Sequence, residues 1–205
     1  YDLLMSLDPS WFSTMFGPYY FAGGFVAFMC FLTLMTFWLQ RRGRLVRVIH
    51  MEHLHDYGKF IFAFVFFWAY LAFSQYMLIW YANIPEETAW YLTRQTGSWK
   101  WVSLLLLVAH LLIPFCGLLS REAKRRKPIL ALWAVWILIV HWIDVYWLVA
   151  PSLSPEGVRI GLIDVACLVG IGGICLGGLL RLAGDRSLVP LGDPRIEESL
   201  AFENT

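Results

Sequence analysis

Five runs of mostly apolar residues constrain this chain more than any other feature. They cover 16–39, 60–81, 101–119, 128–149 and 158–181. A helix needs ~20 apolar residues to cross the hydrocarbon core of a bilayer. Inside that core every backbone N–H and C=O must be satisfied within the segment, which selects helices for runs of this kind. The expected fold is therefore all-α: a polytopic transmembrane helical bundle of about five spans. Hydrophobic residues make up 59% of the 205 and charged residues 15%, where a soluble domain is nearer about a quarter charged. The mean hydropathy of +0.61 agrees. The expected layout is an interfacial segment over 1–15, a five-span bundle over 16–181 and a tail over 182–205. Pro114 falls inside the short third span. It predicts a kink, with a neighbouring helix satisfying the carbonyl that the proline frees.

Loop charge predicts sidedness. The 40–59 loop carries Arg41, Arg42, Arg44, Arg47 and Lys59. The 120–127 loop carries Arg121, Lys124, Arg125, Arg126 and Lys127, and the tail carries Arg181, Arg186 and Arg195. The opposite side holds only Arg94, Lys100 and Arg159, so the balance is 13 to 3. The positive-inside rule then places the N-terminus outside and the C-terminus in the cytoplasm. A net charge of +1 selects no partner by itself, because the charges are segregated by loop. Lipid is the expected surrounding, and no nucleic-acid partner is expected.

Aromatic residues gather where spans end. Trp11, Phe12, Phe16, Tyr19 and Tyr20 lie at the start of span one, and Trp99, Trp101, Trp142 and Trp147 towards the outer ends of spans three and four. Such rings favour the headgroup zone. The opening YDLLMSLDPSWFST reads as a short interfacial helix and turn. Cys30, Cys116, Cys167 and Cys175 lie in apolar runs without a C-x-x-C, so they read as packing residues. Gly173 and Gly177 form a G-x-x-x-G pair suited to close helix packing in lipid.

Polar and ionisable residues at membrane depth are costly and usually face a bundle interior with a partner. Gln75, His110, His141, Asp144 and Asp164 are the candidates. At ~1.5 Å per residue, Gln75, Asp144 and Asp164 lie roughly 8–9 Å below the outer end of their spans, and His110 and His141 roughly 12–14 Å. Four spans thus contribute to one polar layer in the outer half. His141 and Asp144 stand at i, i+3 and share a helical face. Burial disfavours the charged form of each and their mutual attraction favours it, so the pair can hold one proton as a unit. The competing readings are a buried hydrogen bond that fixes helix packing, part of a quinol pocket, and axial ligation of a b-type haem by His110 and His141.

Two other stretches carry chemistry. Residues 50–59 read HMEHLHDYGK. His50 and His53 can share a helical face, with His55 and Asp56 beside them, so a metal site is one reading, and a solvated juxtamembrane segment is favoured over it. Glu52, His53 and Asp56 are then candidates for an inner proton-collecting mouth, with Tyr70, Ser74 and Gln75 as polar steps up span two. In the outer loop, Pro85 with Glu86 and Glu87 suits the first turn of a surface helix. Those three residues are also candidates for docking an outer partner.

Span two and its loop, HDYGKFIFAFVFFWAYLAFSQYMLIWYANIPEETAWYLTR, contain Phe73-Ser74-Gln75-Tyr76 and Asn83-Ile84-Pro85-Glu86-Glu87-Thr88. These, with SLDPSWFSTMFG from Ser6 to Gly17, resemble the ActF-type membrane subunit of bacterial alternative complex III. The resemblance covers about residues 1–100 closely and is looser beyond. It implies a subunit of a quinol:electron-acceptor oxidoreductase in the bacterial cytoplasmic (inner) membrane. The family fold has about ten spans in two bundles, so this sequence would be the second bundle, with further helices before Tyr1. The resemblance further implies multihaem cytochrome c, Fe–S and polysulfide-reductase-type membrane subunits as partners, which hold the haem c, the clusters and the quinol. No cofactor or metal is expected on this chain, whose part would be structural and proton-conducting, as a non-redox subunit and not an enzyme on its own. The alternatives are an ion- or proton-coupled transporter bundle and a haem b quinone-reactive anchor.

Overall fold

The computed structural model describes residues 1–184, 187–190 and 192–201; Arg186 of the basic tail lies outside them. Among the described residues the chain is all-helical. A 3₁₀ turn, Met5–Leu7, precedes α1 (Phe16–Arg41), α2 (Met51–Ala82), α3 (Pro85–Gln95) and α4 (Trp99–Leu106). A π-helical stretch, Leu107–Leu112, joins α4 to α5 (Ile113–Leu118). Then follow α6 (Arg121–Arg125), α7 (Lys127–Leu153), α8 (Leu162–Ala183) and α9 (Ile196–Leu200). Five segments are long and apolar enough to cross a membrane: α1, α2, Trp99–Leu118, α7 and α8. The protein is a multi-pass membrane protein.

Two compact units divide the chain, residues 1–158 and 159–205. The second holds α8 and α9. The first is a bundle in which α1 packs along both α2 and α7, and α3 closes one end. Its interior has an aromatic half, with Trp11, Phe16, Trp68, Trp90, Trp99 and Trp147. The other half is aliphatic, with Val26, Ile61, Val65, Leu118, Leu130 and Ile137. Large apolar side chains such as Phe21, Phe66, Leu132 and Ile139 face outward, as lipid contact requires.

Lipid tails are as apolar as leucine, so these helices associate through close packing. Glycine permits it at defined places. A Cβ on Gly117 would lie 1.8 Å from the Trp133 ring, and one on Gly58 would lie 2.8 Å from Lys124 Cβ. A Cβ on Gly23 would lie 2.8 Å from His141 Cε1.

Pro114 acts through register. In the π stretch each carbonyl pairs with the fifth residue on, as Ile113 N does with Val108 O. The carbonyl that would then pair with Pro114 is that of Ala109, and proline has no N–H to give. Trp136 Nε1 on α7 donates to Ala109 O instead, at 2.8 Å. The neighbouring helix supplies the missing donor, as the proline predicted.

Helix α2 begins at Met51, nine residues before the apolar run. The polar segment 51–59 is thus the first part of a spanning helix, and its charges are absorbed by pairing with α6 and within the helix. The expected headgroup belt is also revised in part. Phe12, Tyr20 and Trp101 are exposed, but Trp11, Phe16, Tyr19, Trp99 and Trp147 are core residues. Trp11 stacks on Trp90 at 4.4 Å and donates to Glu87 O, folding the N-terminal segment over α3.

Candidate functional site

Asp144 is the centre of the buried polar layer. It sits on α7 with 1% exposure, between α1 and α2. Tyr19 of α1 donates its hydroxyl to Asp144 Oδ1. Trp68 Nε1 of α2 donates to Asp144 Oδ2 at 3.1 Å. His141, one turn back, holds Nδ1 3.7 Å from Asp144 Oδ2, beyond direct hydrogen bonding. His110 of the π stretch is fully buried, its ring centroid 3.8 Å from that of Trp68 and 6.1 Å from that of His141. Among the described residues, neither nitrogen of His110, nor Nδ1 of His141, has a hydrogen-bond partner. Buried polar groups almost always have one.

Beside this cluster lies a cavity of about 520 Å³. Tyr19, Trp68, Gln75, Tyr91, Arg94 and Ser103 are among the residues that line it. Gln75 donates to the Tyr91 hydroxyl at 3.2 Å and accepts from Ser13 Oγ at 3.4 Å. Burial pushes the Tyr91 phenol well above its ordinary pKa.

Arg94, 2% exposed, has each guanidinium nitrogen occupied. Nη1 donates to Trp90 O at 3.0 Å, Nε to Trp147 O at 3.3 Å and Nη2 to Leu148 O at 2.8 Å. The Trp147 carbonyl needs that donor because Pro151, four residues on inside α7, lacks an N–H. The guanidinium lies over the Trp90 ring, 3.4 Å from its centroid. Arg94 meets the C-terminal ends of both α3 and α7, whose dipoles each place about half a negative charge there. Burial lowers its pKa to about 9, so it remains a cation at neutral pH.

At the opposite end the expected inner mouth is paired. Glu52 accepts from both Arg125 terminal nitrogens, Nη1 at 3.1 Å. Asp56 pairs with Lys59 at 3.0 Å, and the His53 ring meets that of His50 at 4.3 Å. Lys124 is buried and donates to Leu118 O and Leu119 O, closing the end of α5. Among the described residues, no three His, Cys, Asp or Glu side chains are placed to hold a metal ion.

Of the residues singled out in the sequence, His110, His141 and Asp144 come together, and Gln75 borders the adjoining cavity. Ser74 is half-buried, one position off the Gln75 face, while Tyr70 is 55% exposed and stacks on Phe67. Asp164 belongs to the second unit, where its carboxylate accepts from Gly161 N at 2.7 Å and caps α8. Gly173 and Gly177 lie one turn apart on that helix. Pro85 opens α3 with Glu86 and Glu87 exposed in its first turn, the surface helix those residues suit. Tyr19, Trp68 and Arg94 were not among the candidates. A signal existed for Trp68, which is seven positions before Gln75 and so shares its helical face.

No protein-family model matches the chain, and no curated protein matches its sequence.

Proposed function

We propose that this chain is a proton-handling membrane subunit of the ActF type, part of a quinol:electron-acceptor oxidoreductase in a bacterial cytoplasmic membrane. One observation carries the proton-handling part: a buried carboxylate with two donors stands beside His110 and His141, and both His110 nitrogens and His141 Nδ1 lack a partner among the described residues. Imidazole nitrogens beside a buried carboxylate are groups that can take up and pass a proton near neutral pH. The complex assignment rests on the sequence resemblance and is compatible with the five spanning helices.

In this reading Asp144 is the proton store. As carboxylate it accepts from Tyr19 and Trp68. As acid it keeps one of those bonds and offers its proton towards His141, whose Nδ1 lies 3.7 Å from Oδ2. The rings of His110 and His141 each carry a donor and an acceptor nitrogen when neutral, so each can take a proton on one side and release one from the other. The cavity that Tyr19 and Trp68 line is also lined by Gln75 and Tyr91. No redox centre is assigned to this chain; partner subunits would hold the haem c, the Fe–S clusters and the quinol.

The test is Asp144→Asn in the purified complex. Proton release per electron falls several-fold while the co-purifying subunits stay unchanged. Wild-type turnover with wild-type proton release would defeat the relay. Absence of multihaem and Fe–S partners would defeat the complex assignment and favour a transporter. A b-type Soret band belonging to this chain would favour the haem anchor.

A further inference from the structure

We propose that the cavity between the end of α1, the 42–50 loop and the start of α7 binds the phosphate headgroup of an anionic phospholipid, held by Arg41 and Lys127. The cavity measures about 470 Å³, within the range of about 300–1,000 Å³ typical of small-ligand sites. Arg41 and Lys127 line it, and no carboxylate does so among the described residues. The segment 40–50, QRRGRLVRVIH, adds Arg42, Arg44 and Arg47 without one acidic residue. Positive charge is therefore concentrated here without a counter-charge in the wall.

The site is preformed. Gln40 donates to Ile49 O at 2.7 Å and accepts from Lys127 Nζ at 2.8 Å, tying the three segments that form the rim. Gly43 and Leu45 turn the loop with positive φ, 77° and 60°. A leucine in that region is unfavourable by itself, and Leu45 O is fixed by Val48 N and Ile49 N. Both rim cations are exposed, so they keep donors for a ligand.

The walls choose the ligand class. Phe37 of α1 and Ala131 of α7 line the cavity, and both belong to membrane-spanning helices. A phosphate alone would leave these apolar walls unused. A phospholipid places its phosphate at the rim, where the spans end, and its glycerol and upper chain against Phe37 and Ala131. Basic pockets between spanning helices take lipid headgroups in this manner, and arginine matches phosphate oxygens with paired donors.

The experiment uses the purified complex in neutral detergent, with lipid adducts on the chain counted by native mass spectrometry. Phosphatidylglycerol, phosphatidylcholine and inorganic phosphate are the probes. Wild type retains phosphatidylglycerol in preference to phosphatidylcholine. Arg41→Gln/Lys127→Gln weakens that retention roughly 25-fold, at about a factor of five per cation. Arg41→Lys/Lys127→Arg keeps it, as does Arg121→Gln/Arg126→Gln at the same end of the bundle. Ala131→Trp weakens it with every charge in place. Equal retention in the Arg41/Lys127 neutral variant, or equal retention of phosphatidylcholine, overturns the proposal. Displacement by phosphate at the lipid's own concentration assigns the site to a soluble anion and also overturns it.

Discussion

Arg94 and Asp144 are both buried ionised-type side chains in the same unit, and they are treated in opposite ways. Arg94 has a carbonyl on each nitrogen, a tryptophan under its plane and two helix C-termini beside it. Asp144 has two donors, but the histidines around it hold nitrogens without a partner among the described residues. A group satisfied on every side is a clasp, since any movement would leave carbonyls bare. A group in a partly satisfied network can change its proton without tearing the fold. The contrast separates structure from function more clearly than residue type does.

That contrast predicts an order of effects. Arg94→Ala should be the most destabilising, by about 3 kcal/mol, because Trp147 O, which Pro151 leaves without a helical donor, becomes unsatisfied at about 1–3 kcal/mol and the guanidinium's packing on Trp90 is lost as well. Arg94→Lys should restore little, since one ammonium cannot serve both carbonyls and lie flat on Trp90. Denaturant unfolding in detergent measures both, and a loss under about 1 kcal/mol would mean that Arg94 is no clasp. Gly23→Ala comes next. Its new methyl meets the His141 ring, an overpacking that costs about 1–3 kcal/mol and turns the ring away from Asp144. It should therefore lower proton release as well as stability. A stability loss with unchanged proton release would remove His141 from the relay.

Trp136→Phe should cost about 1 kcal/mol by leaving Ala109 O without its donor. Hydrogen exchange should quicken around the π stretch. Unchanged exchange there would show that the π register stands without α7. The smallest effect concerns Lys124, whose pKa burial lowers from 10.5. Between that lowered value and 10.5 the unfolded chain binds more protons than the folded one, so stability should rise with pH across the window. Lys124→Met should lack that alkaline rise. A rise of equal size in the variant would assign it to other groups.

How much of this was legible in the sequence depended on geometry. The spans were, because an apolar run long enough to cross a bilayer needs no tertiary information. The start of α2 was not. Residues 51–59 look like a polar loop, and only contacts such as Glu52 with Arg125 let them continue a helix. Counting residues gives height along a span but not direction around it. Height brought His110, His141 and Asp144 to one level, where they meet. It also admitted Tyr70, which is five positions from Gln75 and so about 140° away around the helix, on an exposed face. The rings were misplaced for a related reason. Tyr19, Trp99 and Trp147 lie near span ends, where lipid headgroups and a buried aromatic core suit them equally, and the covering by α3 and the N-terminal segment decides. Arg94 was invisible because its partners are backbone carbonyls, one of them freed by Pro151.

The central claim is that Asp144 exchanges a proton inside the bundle. Infrared difference spectroscopy across a pH titration tests it without depending on any partner. A protonated carboxyl in an apolar setting gives a C=O stretch distinct from that of a carboxylate. Wild type should show such a band, titrating and sensitive to deuterium, and Asp144→Asn should lack it. A spectrum identical in wild type and Asp144→Asn over the whole range would show that the carboxylate keeps one state and only holds helices together.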